Sequence, residues 1–370
     1  MKPAKILLLV LSAWASWFGG LKPALAQVWT QTSAPVELWC SGASSADGTT
    51  IVAAPRPYTI PALIYVSKDS GITWTSNNTT SAEWYSVASS ADGTKLVAVG
   101  TADTGDEGVV YTSLNSGSTW VSNNLPVNTS WWSAVASSAD GGKLVVGSAD
   151  GQICVSTNSG ATWQPTYNAS SNAWASVASS ADGSKVVAVS EVYWVGGGSI
   201  FTSTDSGMTW TSNNVPNMAW TSVASSADGK RLVAVGGPAY VSSDSGATWS
   251  LDPWTLEYFG GDLLTVASSA DGCKLLGICG GGPYSSAGYA PVFTAYTTPS
   301  PQLNLVSLTT NLLLSWIIPS TTFLPQQSSD LTATNWSTVT NQPMLNLTNL
   351  QNQVTLPLPS GNSFYRLKSF

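Results

Sequence analysis

Hydrophobic and polar positions alternate along this chain in short bursts, and the bursts recur. Trp84-Tyr85-Ser86-Val87-Ala88-Ser89 and Lys95-Leu96-Val97-Ala98-Val99 are typical, each followed by a cluster of Gly, Asp, Asn or Ser. Period-two runs of this length read as strands, and the polar clusters between them as hairpin turns. The pentapeptide Ser-Ser-Ala-Asp-Gly marks one of those turns six times, beginning at Ser44, Ser89, Ser137, Ser179, Ser225 and Ser268. Consecutive copies lie 42–48 residues apart.

A repeat of that length corresponds to one four-stranded blade. The pattern therefore predicts an all-β chain with a six-bladed β-propeller over residues 27–298. Blade two shows the unit most clearly. Trp84 to Ser89 is its inner strand, Lys95 to Val99 the second, Val109 to Ser113 the third and Thr119 to Ser122 the outer one. The sixth unit has Leu264 to Ser268, Lys274 to Cys279 and a strand around Val292-Phe293-Thr294, but no fourth strand. Val28-Trp29-Thr30 matches the outer strand Thr73-Trp74-Thr75. The N-terminal strand is therefore expected to close the ring in blade six, removing two exposed sheet edges. After the linker Thr297-Thr298-Pro299-Ser300-Pro301 nothing matches the repeat, which argues against a seventh blade. Residues 299–370 carry strand-like runs at Leu303 to Leu308, Asn311 to Ile317 and Val354 to Leu358, with the ending Phe364-Tyr365-Arg366-Leu367. They read as a linker and a small C-terminal β-sandwich.

A second motif occupies the turn between the third and fourth strands. It is Ser67-Lys68-Asp69-Ser70-Gly71-Ile72-Thr73-Trp74 in blade one, and it returns around Asn115 to Trp120, Asn158 to Trp163, Asp205 to Trp210 and Asp244 to Trp249. It resembles the Asp-box of the bacterial-neuraminidase repeat family, and the resemblance implies a sialidase-like propeller. The local logic is structural. Asp or Asn accepts backbone N–H groups, Gly takes the left-handed conformation, and Trp is expected to be buried under the turn. The repeats are also similar to the photosystem II assembly factor-like propellers, which implies a noncatalytic protein-binding scaffold; the basic patch those proteins use has no counterpart here. The C-terminal segment resembles the β-sandwich appendages of exported proteins from Verrucomicrobia-type bacteria, which implies surface display or domain spacing.

Composition adds the compartment. Lys2 and Lys5 precede a largely apolar stretch from Ile6 to Gly20, and Ala24-Leu25-Ala26 forms a small-x-small site before Gln27. Residues 1–26 thus read as a secretory signal peptide, because the apolar run is shorter than the ~20 residues a membrane span needs. The expected location is periplasmic, outer-surface or extracellular, with no membrane span in the mature chain and a monomeric state. Formal net charge is −7. Cleavage removes Lys2, Lys5 and Lys22 but no acid, so the remainder is more acidic still. Such a chain is a poor partner for nucleic acid or anionic lipid. The four cysteines, Cys40, Cys154, Cys273 and Cys279, match no zinc or redox spacing. Ring closure makes a Cys40–Cys279 bridge geometrically possible, and small buried thiols are the alternative.

In a meandering blade, the two repeated turns share one face, while the second-to-third and blade-to-blade loops share the other. The loops differ in every repeat, so function is expected there. They hold Arg56 and Tyr58, then Asp103, Asp106 and Glu107, then Glu191, Tyr193 and Trp194, and then Trp254, Glu257, Tyr258 and Asp262, with Tyr284 and Tyr289 in the last unit. Aromatic residues beside carboxylates suit a sugar or peptide ligand, and solvated loop tips are the plain alternative. Trp39, Trp84, Trp132, Trp174 and Trp220 occupy one equivalent position and form either a crown of indoles or the packing between blades. On the repeated face each turn brings its own acid and base, Asp92 with Lys95 for example, giving a nearly neutral belt.

Catalysis has little to draw on. The chain has no histidine, which removes Ser-His-Asp and Cys-His mechanisms and the usual zinc sites. Sialidases need three convergent arginines; here Arg56, Arg231 and Arg366 lie in a variable loop, on the opposite face and in the tail. A two-carboxylate glycosidase pairing Glu191 with Glu257 or Asp262 stays open, as does calcium at Asp103, Asp106 and Glu107. No catalytic residue, metal or cofactor is assigned. The reading is an exported, noncatalytic binding or surface-display propeller for a protein or glycan ligand, with a glycoside hydrolase, lyase or glycan-binding propeller as the alternative.

Overall fold

In this computed structural model the residues described are 32–55, 62–76, 82–103, 105, 107–168, 172–191, 197–252, 263–279, 292–296, 303–317, 323–329, 336–346, 351–359 and 363–369. Every regular element among them is a β-strand. The recurring pentapeptide explains why. In sheet two the Ser90 hydroxyl donates to Asp92 at 2.6 Å and accepts the Lys95 N–H at 3.0 Å. Asp92 then takes the Thr94 N–H at 3.0 Å, and Gly93 sits at φ 70°. The turn thus satisfies its polar groups locally and aims two strands antiparallel.

Five such units give four-stranded meanders, and the sixth gives three strands. Sheet one is Trp39–Ser44, Ile51–Pro55, Tyr65–Ser67 and Thr75–Ser76. Sheet two is Ala82–Ser89, Leu96–Ala102, Gly108–Ser113 and Val121–Asn123. The third begins at Trp132–Ser137, the fourth at Ala173–Ser179 and the fifth at Ser222–Ser225; the sixth is Leu263–Ser268, Lys274–Cys279 and Val292–Tyr296. The predicted strands hold within a few residues. The proposed closing strand, Val28-Trp29-Thr30, lies outside the described residues, as do the signal segment and the linker.

Consecutive sheets pack face to face. Each inter-sheet core draws on both partners: Ile153, Val155 and Val145 of sheet three meet Trp174, Ala188 and Phe201 of sheet four. Trp84, Trp132, Trp174 and Trp220 are at most 1 % exposed, so these tryptophans are packing and not a crown. Trp39 differs, at 38 % exposed beside Tyr65 and Trp74.

A backbone ladder ties the turns together. The N–H of Ala46 donates to Ala91 O, Ala91 to Ala139, Ala139 to Ala181, Ala181 to Ala227 and Ala227 to Ala270, all at 2.7–2.8 Å. Alanine is small enough for this spacing; Ala139, Ala181 and Ala227 form a buried cluster of their own. The bases of the turns do not neutralise only their own acids, as the sequence suggested. Lys95 Nζ reaches forward to Asp140 O at 2.8 Å, Lys143 to Asp182 O and Lys185 to Asp228 O at 3.0 Å. The lysine stem needs room that only glycine leaves: a Cβ on Gly141 would come 2.7 Å from Lys95 Cδ, whereas one on Gly48 of sheet one would meet open space.

The tail has two further sheets. Asn304–Ser307, Asn311–Ile317, Gln351–Pro357 and Met344–Asn346 form one, and Ser337–Thr338, Phe323–Ser328 and Phe364–Ser369 the other. Leu312, Leu314, Trp316 and Val354 share a core with Tyr365 and Leu367. The strand Phe323–Ser328 was hidden in the sequence by Pro325, which removes a donor and normally argues against a strand flanked on both sides.

Candidate functional site

At the turn end of the sheets, polar side chains are consumed by structure. The Thr73 N–H and hydroxyl donate to Asp69 at 2.8 and 2.6 Å, and Ser67 donates to the same carboxylate at 2.8 Å. The Thr73 hydroxyl, then the Thr73 amide and Ser67, hold the Asp69 carboxyl below its usual range. Asp47 is lowered to about 2, chiefly by the Ser45 hydroxyl and then by Thr49. In sheets two and three Asn115 and Asn158 accept the same amide without a charge. Glycine does not carry the left-handed conformation alone. Ser70, Ser116, Ser159, Ser206 and Ser245 precede it at φ 52–63°. The strain is offset because each serine N–H bonds back to the neighbouring turn, Ser70 to Thr49 O at 2.9 Å for instance. The tryptophan of this motif is half-buried; Trp74 Nε1 donates to Gly71 O at 3.1 Å.

The loop end is built differently. One residue after the packing tryptophan, the first strands of sheets one to four bulge at Cys40, Tyr85, Ser133 and Ala175. A bulge re-aims a side chain. Cys40 Sγ donates to Trp84 O at 3.2 Å and Ser133 Oγ to Trp174 O at 2.6 Å, each bridging to the next sheet. Tyr85 breaks that pattern. Its hydroxyl donates to Glu83 Oε2 at 3.2 Å, and its ring lies 6.2 Å from Trp131 at a tilt of 38°. Trp131 precedes the packing Trp132, yet it is 43 % exposed where Trp132 is 1 %.

The segment carrying Trp131 is held from both sides. Thr129 O accepts the Gly108 N–H at 2.8 Å and Ser130 O accepts the Thr101 hydroxyl at 3.2 Å, both from sheet two. From sheet three, Asp150 accepts the Thr129 hydroxyl at 2.7 Å as well as that of Ser148. A Cβ on Gly108 would approach Trp132 Cδ1 to 2.9 Å, so glycine permits the close crossing. Asp103 and Glu107 flank this segment in the adjoining loop, where the Ala102 N–H donates to Glu107 O at 2.8 Å.

Of the residues singled out in the sequence, Asp103 and Glu107 lie in the loop of sheet two that leads to Gly108, which bonds to Thr129. Glu191 ends the second strand of sheet four, across from Ala173, where burial pushes its carboxyl up. Arg56, Tyr58, Asp106, Tyr193, Trp194, Trp254, Glu257, Tyr258 and Asp262 lie outside the described residues, with Tyr284, Tyr289 and the side chain of Cys279. Glu83, Tyr85, Trp131 and Asp150 were missed; the one available signal was an aromatic at a position filled elsewhere by Cys, Ser and Ala. Cys154 is fully buried, and burial alone pushes its thiol up to about 12, which leaves it inert. Among the described residues no group of three or more His, Cys, Asp or Glu gathers as metal ligands. Arg231 stands at the turn end, and Arg366 stacks 4.4 Å over Trp336 in the tail.

The described cations of the propeller are confined to one end, where the turn aspartates also stand, whereas the acids occur at both ends. Glu37, Glu83, Asp103, Glu107, Asp150, Glu191 and Asp252 all stand at the loop end of the described sheets. Lys68, Lys95, Lys143, Lys185, Lys230, Arg231 and Lys274 all stand at the turn end.

No family model and no curated protein matches the chain. Solved structures do match its fold. The GH74 enzyme of Niastella koreensis aligns at TM-score 0.55 and 14 % identity, over 90 % of this chain and 65 % of its own. The GH74 xyloglucanase of Xanthomonas campestris aligns at 0.51 and 16 %, over 75 % and 50 %. YCF48 from Cyanidioschyzon merolae aligns at 0.51 and 14 %, over 77 % and 95 %. All three are β-propeller proteins. The repeat region is a β-propeller. Its sheets are blades, and at these identities the likeness speaks for the fold alone. The chain spans only half to two thirds of the length of the two GH74 proteins.

Proposed function

We propose that this propeller is an exported, noncatalytic binding protein whose ligand sits at the loop end of the blades. The observation that supports this most is the fate of polar and aromatic groups at the two ends. Turn residues are engaged within the repeat, whereas Trp131 is exposed beside a half-buried Tyr85 that is bonded to Glu83. Binding surfaces are built from such amphipathic aromatics with a few polar groups beside them. The competing reading is a glycoside hydrolase that works with carboxylates; the two GH74 neighbours are glycoside hydrolases. Glu191 is the described acid best suited to donate a proton, since burial favours its neutral form.

Residues 1–26 are the export signal in this proposal, residues 27–298 the propeller and residues 299–370 the linker and display module. The ring closes with six blades as Val28-Trp29-Thr30 adds the fourth strand to blade six. Two observations support closure. The ladder begins with the Ala46 carbonyl and ends with the Ala270 N–H, a complementary acceptor and donor. Trp39 and Gly48 of blade one lie open where their equivalents in later blades are covered.

The test is a screen of the purified chain against immobilised polysaccharides and peptides, with product release followed in parallel. Binding without turnover that is weakened by Trp131→Ala supports the proposal. Release of reducing sugar that Glu191→Gln abolishes would establish the hydrolase instead.

A further inference from the structure

The ligand class follows from what faces the aromatic pair. We infer that the mouth between blades two and three docks a basic segment of a partner protein, its Lys or Arg side chains stacking on Trp131 and pairing with Glu83. This rests on the proposal that the loop end binds. It goes further by fixing the ligand's charge and the residues that meet it.

Three independent observations converge. The first is the platform. Trp131 is 43 % exposed and its ring lies 6.2 Å from that of Tyr85, whose hydroxyl donates to Glu83, so a partly exposed indole and a carboxylate are joined through one tyrosine. Indole is the best cation–π surface among side chains, and a neighbouring carboxylate adds the ion pair.

The second is the confinement of the cations to one end. Every described cation of the propeller stands at the turn end, and three of the lysines are tied there to carbonyls of the next blade. At the loop end Glu83, Glu107 and Asp150 belong to blades two and three, and no described cation of the propeller stands there. An excess of carboxylates draws basic partners and repels acidic polysaccharide.

The third is the residue at the bulge. Cys40 and Ser133 use that position to bridge to the next blade, and Ala175 has no side chain that could. Of these four blades blade two alone places an aromatic there, and its contacts run to Trp131 and Glu83. A repeat that departs in chemistry at one position marks a position used for something else.

The experiment is a fluorescence-anisotropy titration of the full chain with three labelled probes: a twelve-residue Lys/Arg/Ser peptide, its Glu/Asp/Ser counterpart and a neutral cello-oligosaccharide. The basic peptide is expected to bind, about tenfold more weakly with Trp131→Ala, about threefold more weakly with Glu83→Gln, and more weakly as salt rises. Trp131→Ala keeps the net charge, so its effect separates the platform from bulk attraction. Binding of the basic peptide that neither substitution alters would overturn the assigned surface. If the oligosaccharide or the acidic peptide binds instead, and Trp131→Ala abolishes it, the ligand class falls while loop-end binding stands. If none of the three binds to the folded chain, this inference fails, and the wider screen still decides the binding reading.

Discussion

Trp131 and Trp132 are adjacent in the chain and opposite in fate. Trp132 lies between two blades with no accessible surface to speak of, and Trp131 stands at the mouth with nearly half its surface exposed. The same contrast holds for the two ends of every blade. One end repeats because the Ser, Asp or Asn and Gly of its turns have fixed bonding roles; the other differs in sequence from blade to blade. A repeat protein therefore separates stability from recognition along the axis of its strands.

Substitution should resolve that contrast into energies. The largest effect belongs to Trp132→Ala, which removes a fully buried indole and is expected to cost about 3–5 kcal/mol in denaturant unfolding. Trp131→Ala is expected to cost only the contact with Tyr85, about 0.5–1.5 kcal/mol. Equal costs would erase the distinction between the two tryptophans.

Gly141→Ala comes next. Its φ of 64° and the Lys95 stem 2.7 Å from a new Cβ predict a loss of about 2 kcal/mol. Gly48→Ala shares the backbone strain but meets no neighbour in the described structure. Closure through blade six would bring Lys274 against it, so comparable losses for the two variants support a closed ring. A clearly smaller loss for Gly48→Ala argues for an open one.

The smallest effect is on acid stability. Asp69 and Asp244 are held below their usual range, first by the hydroxyls of Thr73 and Thr248. A carboxylate whose folded pKa is depressed stabilises the fold above its unfolded value, about 4, and loses that contribution as pH falls through the folded one. The amides of Thr73 and Thr248 should therefore lose hydrogen-exchange protection below about pH 4, ahead of Thr119 and Thr162, which bond to Asn115 and Asn158. Simultaneous loss in all four turns would show that the carboxylates carry no special share.

These comparisons explain what could be read in advance. The turns were legible because Ser90, Asp92 and Gly93 act within a few residues of one another, and local chemistry leaves a local pattern. The packing role of Trp84, Trp132, Trp174 and Trp220 was one of two readings and needed the neighbouring blade to decide it. The forward reach of Lys95 could not be seen, since Asp140 lies a whole blade away. The Tyr85–Trp131 contact was hidden for the same reason, and also because a bulge shifts the alternation by which a strand's faces are assigned. Of the loop residues chosen for their chemistry, Asp103 and Glu107 lie in the loop of blade two next to the Thr129 segment, and Glu191 stands in another blade.

The most direct test restores the repeat where it is broken. Tyr85→Ser gives blade two the residue that blade three carries at its bulge, a hydroxyl able to bond to Trp132 O as Ser133 bonds to Trp174 O. The gained hydrogen bond, about 1 kcal/mol, should offset the lost aromatic contact of about 0.5–1.5 kcal/mol. Unfolding midpoints and basic-peptide affinity measured on the same preparation should then diverge: stability unchanged within about 0.5 kcal/mol, and binding at least tenfold weaker. A variant that loses several kcal/mol while binding as before would make Tyr85 a structural residue and contradict the division of labour between the two ends.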